Sequence, residues 1–250
     1  MSEPAFPRVD LSTLADDGDA LKFCSTCAFS QACLSQGMDK RALMDLHVLV
    51  EHAGPFQAGD HLFREGDPFE AIAAVRAGTV KTYVLDRDGR EHVLGFHLPG
   101  EVIGLNAIDG ETYPCNAVAL DTVSLCRFSF PKIAVLAARL PGLQQHLFRL
   151  LSRDIGSAAL LAGDWTADQR MAAFLIGLSR RLAARGFAAD RFQLTMARTD
   201  IANHLRLAPE TVSRVLKRLQ DDGMLRIDRR EVELLDREPL EALAAPVLRD

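Results

Sequence analysis

Thr199-Asp-Ile-Ala-Asn-His-Leu205-Arg-Leu-Ala-Pro209-Glu-Thr-Val-Ser-Arg-Val215-Leu-Lys-Arg-Leu219-Gln-Asp-Asp-Gly223 is the stretch that decides the fold. Thr199 is expected to cap a short helix that buries Ile201, Ala202 and Leu205. A tight turn through Leu207 follows. Pro209 suits the first position of a second helix, because its missing N–H would have no partner there. Val212, Val215, Leu216 and Leu219 then recur at helical spacing as a buried face, and Gly223 ends the helix as a C′ residue. Glu210, Thr211, Ser213, Arg214, Lys217 and Arg218 are left facing outward. This is the pattern of a helix–turn–helix, whose second helix meets base edges in the major groove through its N-terminal part.

The outward residues suit that task by type. Arg214 can donate two bonds to guanine O6 and N7, Glu210 can accept from cytosine N4, and Ser213 can meet a base edge or a thymine methyl. Lys217 and Arg218 lie further along and fit phosphates, which position the protein without reading sequence. After Gly223, the alternating segment Met224 to Leu235 reads as a small hairpin wing around Asp228 and Arg229. Between Trp165 and Leu235 there are thirteen Lys/Arg against nine Asp/Glu, a charge of +4. With −5 on the whole chain, the remainder carries −9. A basic C-terminal third on an acidic body is compatible with binding DNA.

Upstream, from about Pro55 to Phe130, short apolar runs alternate with turn signals such as Ala77-Gly78-Thr79 and Pro99-Gly100-Glu101. The runs Val80 to Leu85 and Glu91 to Phe96 flank Asp88-Gly89, a strong hairpin signal. Many short strands at this spacing predict a jelly-roll-like β domain. The fold class is therefore α+β: a β-roll, a long helix, and a C-terminal winged helix–turn–helix. Expected divisions are an N-terminal tail and cysteine loop at 1–37, the β-roll at 38–137, the long helix at 138–163 and the DNA-binding domain at 164–250. Met38 to Glu51 is expected to be helical.

In the long helix, Phe148, Leu151, Ile155, Ala158 and Ala162 follow the 3-4 spacing of a two-stranded coiled-coil seam. A second stripe of Leu143, Leu147, Leu150 and Leu161 can cover the β domain. Apolar on two faces, this helix needs two partners. A homodimer seam is expected, against the alternative of burial within one domain.

Three cysteines then stand out: Cys24-Ser-Thr-Cys27-Ala-Phe-Ser-Gln-Ala-Cys33. Three soft thiolates within ten residues suit zinc or an iron–sulfur cluster. The other two cysteines are Cys115 and Cys126, and an odd total argues against a disulfide framework. The N-terminus lacks the basic and apolar regions of a signal peptide, and no apolar run is long enough to span a membrane. A cytoplasmic protein with reduced thiols is expected. No Ser/His/Asp arrangement, Walker loop or HExxH is visible, so no enzyme is expected; His97 and His146 read as packing or surface residues.

Cysteine loop, β-roll, long helix and winged helix–turn–helix, in this order, resemble the cAMP receptor protein/FNR superfamily of bacterial transcription regulators over residues 20–235. Gly95-Phe-His-Leu-Pro-Gly100-Glu, Leu178-Ser-Arg-Arg181 with Arg185-Gly-Phe187, Phe192-Gln-Leu-Thr-Met196 and Glu210-x-x-Ser213-Arg214 are similar to its oxygen-sensing FNR branch (fumarate and nitrate reduction regulator). The resemblance implies a [4Fe–4S] cluster on Cys24, Cys27, Cys33 and a fourth cysteine from the β domain. The family position falls in Thr122-Val-Ser-Leu-Cys126-Arg-Phe, which makes Cys126 the fourth ligand, with Cys115 the competing candidate. It further implies a cluster-dependent homodimer that binds a palindrome resembling TTGAT-N4-ATCAA and contacts RNA polymerase through loops such as Asp86 to Arg90. Oxygen, by degrading the cluster, would release the DNA. A thiol–disulfide or zinc switch on the same scaffold is the alternative.

Two departures from the family pattern bear on regulation. Some members place an acidic residue in the seam; Ala158 occupies that neighbourhood here, with Asp154 one turn earlier, so dimerisation is expected to depend less strictly on oxygen. The cyclic-nucleotide phosphate cassette needs an Arg-Ser pair opposite Gly100-Glu101, and this chain has Tyr113-Pro-Cys-Asn there, so no cyclic nucleotide is expected.

Overall fold

A computed structural model describes residues 33–161 and 163–248 of the 250-residue chain. The chain divides into two compact units, residues 1–84 with 96–153, and residues 85–95 with 154–250.

In chain order, the described residues form helix α1 (Lys40–His47) and strands β1 (Val50–Phe56), β2 (His61–Phe63), β3 (Ala71–Ala77), β4 (Val80–Leu85), β5 (Glu91–His97), β6 (Val102–Ile103), β7 (Asn116–Ala119) and β8 (Val123–Ser129). They form two four-stranded antiparallel sheets, ordered β1-β8-β3-β6 and β2-β7-β4-β5. Helix α2 (Phe130–Arg139) and the long α3 (Pro141–Leu161) follow. Helix α1 is shorter than the expected Met38 to Glu51. Its continuation is drawn into β1, where Val50 pairs with Phe128 and Glu51 with Arg127, and a strand partner outweighs a helical apolar pattern.

Alternation along the central strands gives the first sheet two apolar faces. Ala73 and Val75 of β3 join Leu125 of β8 in a core shared with Phe63 and Ala117 of the second sheet and with Tyr113 from the loop before β7. Ile72, Ala74 and Phe128 point the other way, into a cluster completed by Leu46, Ile133, Leu143 and Leu147 from the helices. At the β3–β4 turn Gly78 has φ +79°, and a Cβ there would sit 2.4 Å from the Thr122 carbonyl oxygen, so only glycine fits.

The second unit contains α4 (Ala167–Ala183), β9 (Arg191–Gln193), α5 (Arg198–His204), α6 (Pro209–Asp221), β10 (Leu225–Asp228), β11 (Glu231–Leu234) and α7 (Arg237–Ala244). Thr166 starts α4 with a capping box, its hydroxyl accepting from the Gln169 N–H while Gln169 reaches back to the Thr166 N–H. The wing is present as β10–β11, with β9 added as a third strand on β11. Among the described residues, no helix is long and apolar enough to cross a membrane.

Candidate functional site

Strand alternation sorts the cysteines. On β8, Val123 and Leu125 enter the core between the sheets, whereas Cys126 and Phe128 fall on the helix-covered face. Cys126 and Cys33, both half-buried, pack against that one cluster of Leu34, Ile72, Ala74, Phe128, Leu143 and Leu147. In the register, Cys126 stands opposite His52 on β1 and Ala74 on β3. Its Sγ lies 3.7 Å from His52 Nδ1. Burial lowers the pKa of His52, with Arg76 and His47 adding to the effect.

Cys115 lies elsewhere. It is buried among Phe63, Tyr113 and Ala117 between the sheets, and its sulfur accepts from Asn106 Nδ2 at 3.3 Å. Burial pushes its thiol pKa up, away from the thiolate a metal needs. Cys24 and Cys27 lie outside the described residues. Among the described residues, no group of three or more His, Cys, Asp or Glu side chains is arranged to hold a metal ion. Cys33 and Cys126 supply soft donors on one face, which fits a thiolate-bound metal or cluster completed from the N-terminal segment.

Helix α3 crosses the same cluster. Leu143 and Leu147 are buried in it, with Leu150 and Leu151 partly so. Leu151, expected in the seam, therefore turns partly toward its own core. Phe148 and Ile155 stay 60% and 71% exposed, an apolar face with no cover within the described residues. The Ala158 side chain and all of Ala162 lie outside the described residues. On the buried side, His146 is 4% exposed and hydrogen-bonds the Cys33 backbone. Burial lowers its pKa, Arg149 and Arg153 lower it further, and the bond to Cys33 partly offsets them.

In the second unit, α6 buries Val212, Val215, Leu216 and Leu219 and begins with Pro209 in its first turn, as the spacing predicts. Gly223 follows the helix at φ +72°. The N-terminal cap of α5 differs from expectation: α5 runs from Arg198, Ala197 precedes it in extended conformation, and Thr199 is already inside the helix. The turn between the helices is made by Arg206 at φ 55°, a left-handed position held by a non-glycine residue.

Glu210, Ser213, Arg214, Lys217 and Arg218 are all exposed, and Thr211 is half-exposed. Four of them have internal partners. Ser213 Oγ donates to the Pro209 carbonyl at 3.1 Å, and Arg214 donates to Thr211 Oγ1 at 3.2 Å, which aligns the guanidinium along the N-terminal half of α6. Arg218, expected at a phosphate, is exposed and pairs with Asp168 of α4, which raises its pKa. Asp168 lies 50 residues away in sequence, and no local signal pointed to it.

Two family models match the chain: a cyclic nucleotide-binding domain over residues 54–139 and a Crp-like helix-turn-helix domain over residues 169–243. The transcriptional activator protein anr of Pseudomonas aeruginosa is 43% identical over 224 residues, spanning 88% of this chain and 92% of that one. The chain belongs to the FNR branch of the cAMP receptor protein/FNR superfamily. Another member, the fumarate and nitrate reduction regulatory protein of Escherichia coli, is 38% identical and covers 88% of this chain and 90% of its own length. Among solved structures, FixK2 from Bradyrhizobium japonicum matches with a TM-score of 0.71 and 31% identity, over 78% of this chain and 98% of that one. With its Crp-like helix-turn-helix, this FNR-branch chain is a DNA-binding transcription regulator.

Proposed function

We propose that this regulator is oxygen-responsive, with a [4Fe–4S] cluster on Cys24, Cys27, Cys33 and Cys126 controlling dimerisation and DNA binding. The observation that carries the reading is the shared packing of Cys33 and Cys126 on the cluster formed with Leu143 and Leu147 of α3. The same helix turns Phe148 and Ile155 outward. Cys115 is the poorer candidate because it faces the core between the sheets with a raised pKa. When bound, the iron–sulfur group supplies an oxygen-labile tie between the N-terminal loop and β8.

The chain's own residues do the rest. Leu143, Leu147 and Leu150 hold α3 on the sheet, so a change in the packing of Cys33 or Cys126 reaches the helix directly. Phe148 and Ile155, with Ala158 and Ala162 continuing the spacing, present a self-complementary seam to a second copy. Pairing brings two copies of α6 to a palindrome resembling TTGAT-N4-ATCAA, read by Glu210, Ser213 and Arg214, while Lys217 meets phosphate. Arg218, exposed and held by Asp168, meets phosphate as well. RNA polymerase is the partner at bound promoters, and the cytoplasm the compartment. Cyclic nucleotides are not ligands in this reading: Tyr113 of the Tyr113-Pro-Cys-Asn segment stacks on Phe63 with ring centroids 4.0 Å apart and fills the core with Cys115.

Anaerobic purification with iron and sulfide analysis, then binding to the palindrome before and after air exposure, tests the proposal. Bound iron and sulfide with air-sensitive DNA binding are expected. Full DNA affinity in a Cys24→Ser, Cys126→Ser protein would refute it. Zinc in place of iron would favour the alternative switch on the same thiols.

A further inference from the structure

Within the described residues, the long helix makes a polar contact with Cys33 inside an apolar cluster. His146 sits on α3 between Leu143 and Leu147, both buried in the helix-covered cluster, and is itself 4% exposed. A histidine in such a place loses the solvation of its ring unless a specific partner compensates. The partner is the backbone of Cys33. Ring Nε2 is buried with no hydrogen-bond partner among the described residues, so the bond is made through Nδ1. It favours the protonated nitrogen, so the ring donates, and the acceptor is the Cys33 carbonyl. That carbonyl also accepts the Gln36 N–H at 3.0 Å, closing the turn that follows the cysteine. Its two lone pairs are thereby both engaged.

We propose that His146 is the positioning residue that registers Cys33 on the dimerisation helix, through its Nδ1–H to the Cys33 carbonyl. The inference rests on Cys33 being a cluster ligand as proposed above. Leucine at this position would pack equally well beside Leu143 and Leu147, but would let the loop slide. A directional bond fixes the height of Cys33 along α3. It passes a displacement of the thiol to the helix whose opposite side presents Phe148 and Ile155. His146 touches no metal in this scheme and acts only through the Cys33 backbone.

The test compares the full-length protein with His146→Leu, which removes the donor at similar volume, and with His146→Asn, whose amide nitrogen falls near the Nδ1 position. Two readouts are taken: hydrogen exchange at the Gln36 amide, and the change in sedimentation on air exposure of anaerobically purified protein. In His146→Leu, Gln36 exchange is expected to rise roughly five- to tenfold, the scale of one neutral hydrogen bond. The variant is expected to keep bound iron and lose most of the air-driven change in sedimentation. His146→Asn is expected to restore both, which separates the bond from packing alone. Unchanged Gln36 exchange in His146→Leu overturns the proposal, as does an unchanged sedimentation response or failure of rescue by Asn. An unmodified protein without iron would instead remove the cluster reading, and the exchange comparison would still decide whether His146 anchors the loop.

Discussion

His204 makes the second unit sensitive to mild acid, and its environment sets the size of the effect. It closes α5, the first helix of the helix–turn–helix, with its ring edge-on to Phe174 at 6.2 Å between centroids. Burial, reinforced by Arg181 and partly offset by a bond to the Val93 backbone, lowers its pKa from 6.5 to about 4. The ring is neutral in the folded protein at pH 7, whereas the unfolded chain takes up the proton near pH 6.5. Stability from this group is therefore fully present above pH 6.5 and is lost as the pH falls toward 4. At 1.36 kcal/mol per unit, the ceiling is about 3 kcal/mol, and about 2 kcal/mol of it is lost between pH 7.5 and pH 5. Urea titrations at both pH values, followed by fluorescence of Trp165, the single tryptophan in the chain, measure the loss. The same titrations on His204→Phe cancel the contributions of every other group. The unmodified protein should lose about 2 kcal/mol more than the variant over this range. Parallel losses in the two proteins would refute the assigned environment.

Other substitutions separate reading from positioning on α6. Arg214→Ala should cost about 1–3 kcal/mol and relax selectivity at one base pair of the half-site, while Lys217→Ala should weaken binding to all sequences alike and reduce the salt slope by about 1; titrations of matched and mismatched operators at several salt concentrations check both. Ile155→Asp places an unpaired charge in the proposed seam and should cost about 3 kcal/mol or more, over a hundredfold in association, visible by sedimentation. Tyr113→Phe removes a buried hydroxyl that donates to the Ala71 carbonyl at 2.6 Å. Its cost should be about 1–2 kcal/mol in urea denaturation.

The elements read correctly from sequence are those whose partners are near in the chain. Pro209, the Val212–Leu219 face and Gly223 specify α6 within fifteen residues, and Asp88-Gly89 lies between β4 and β5 as a turn signal should. Two readings differ from the structure. Thr199 resembled a cap, but the chain enters α5 two residues earlier, from an extended Ala197. Val50 and Glu51 extended a helical pattern until β8, more than seventy residues away, claimed them as a strand. Arg218, exposed as expected from its spacing, also has an ion-pair partner, Asp168, that no local signal indicated.

By itself the sequence determined the class of this protein: a β-roll, a long two-faced helix and a winged helix–turn–helix, with a cysteine loop ahead of them. Most periodicity and turn signals are local, so most of them survive translation into structure. Which thiol meets which core was a tertiary matter. Cys115 and Cys126 are eleven residues apart in a chain of short strands, and only the pairing of β8 between β1 and β3 turned one onto the helix-covered face while the other went between the sheets. The same packing brought His52 beside Cys126 and His146 to Cys33. No periodicity encodes such contacts, because they join residues 74 and 113 positions apart through the burial of a shared apolar face.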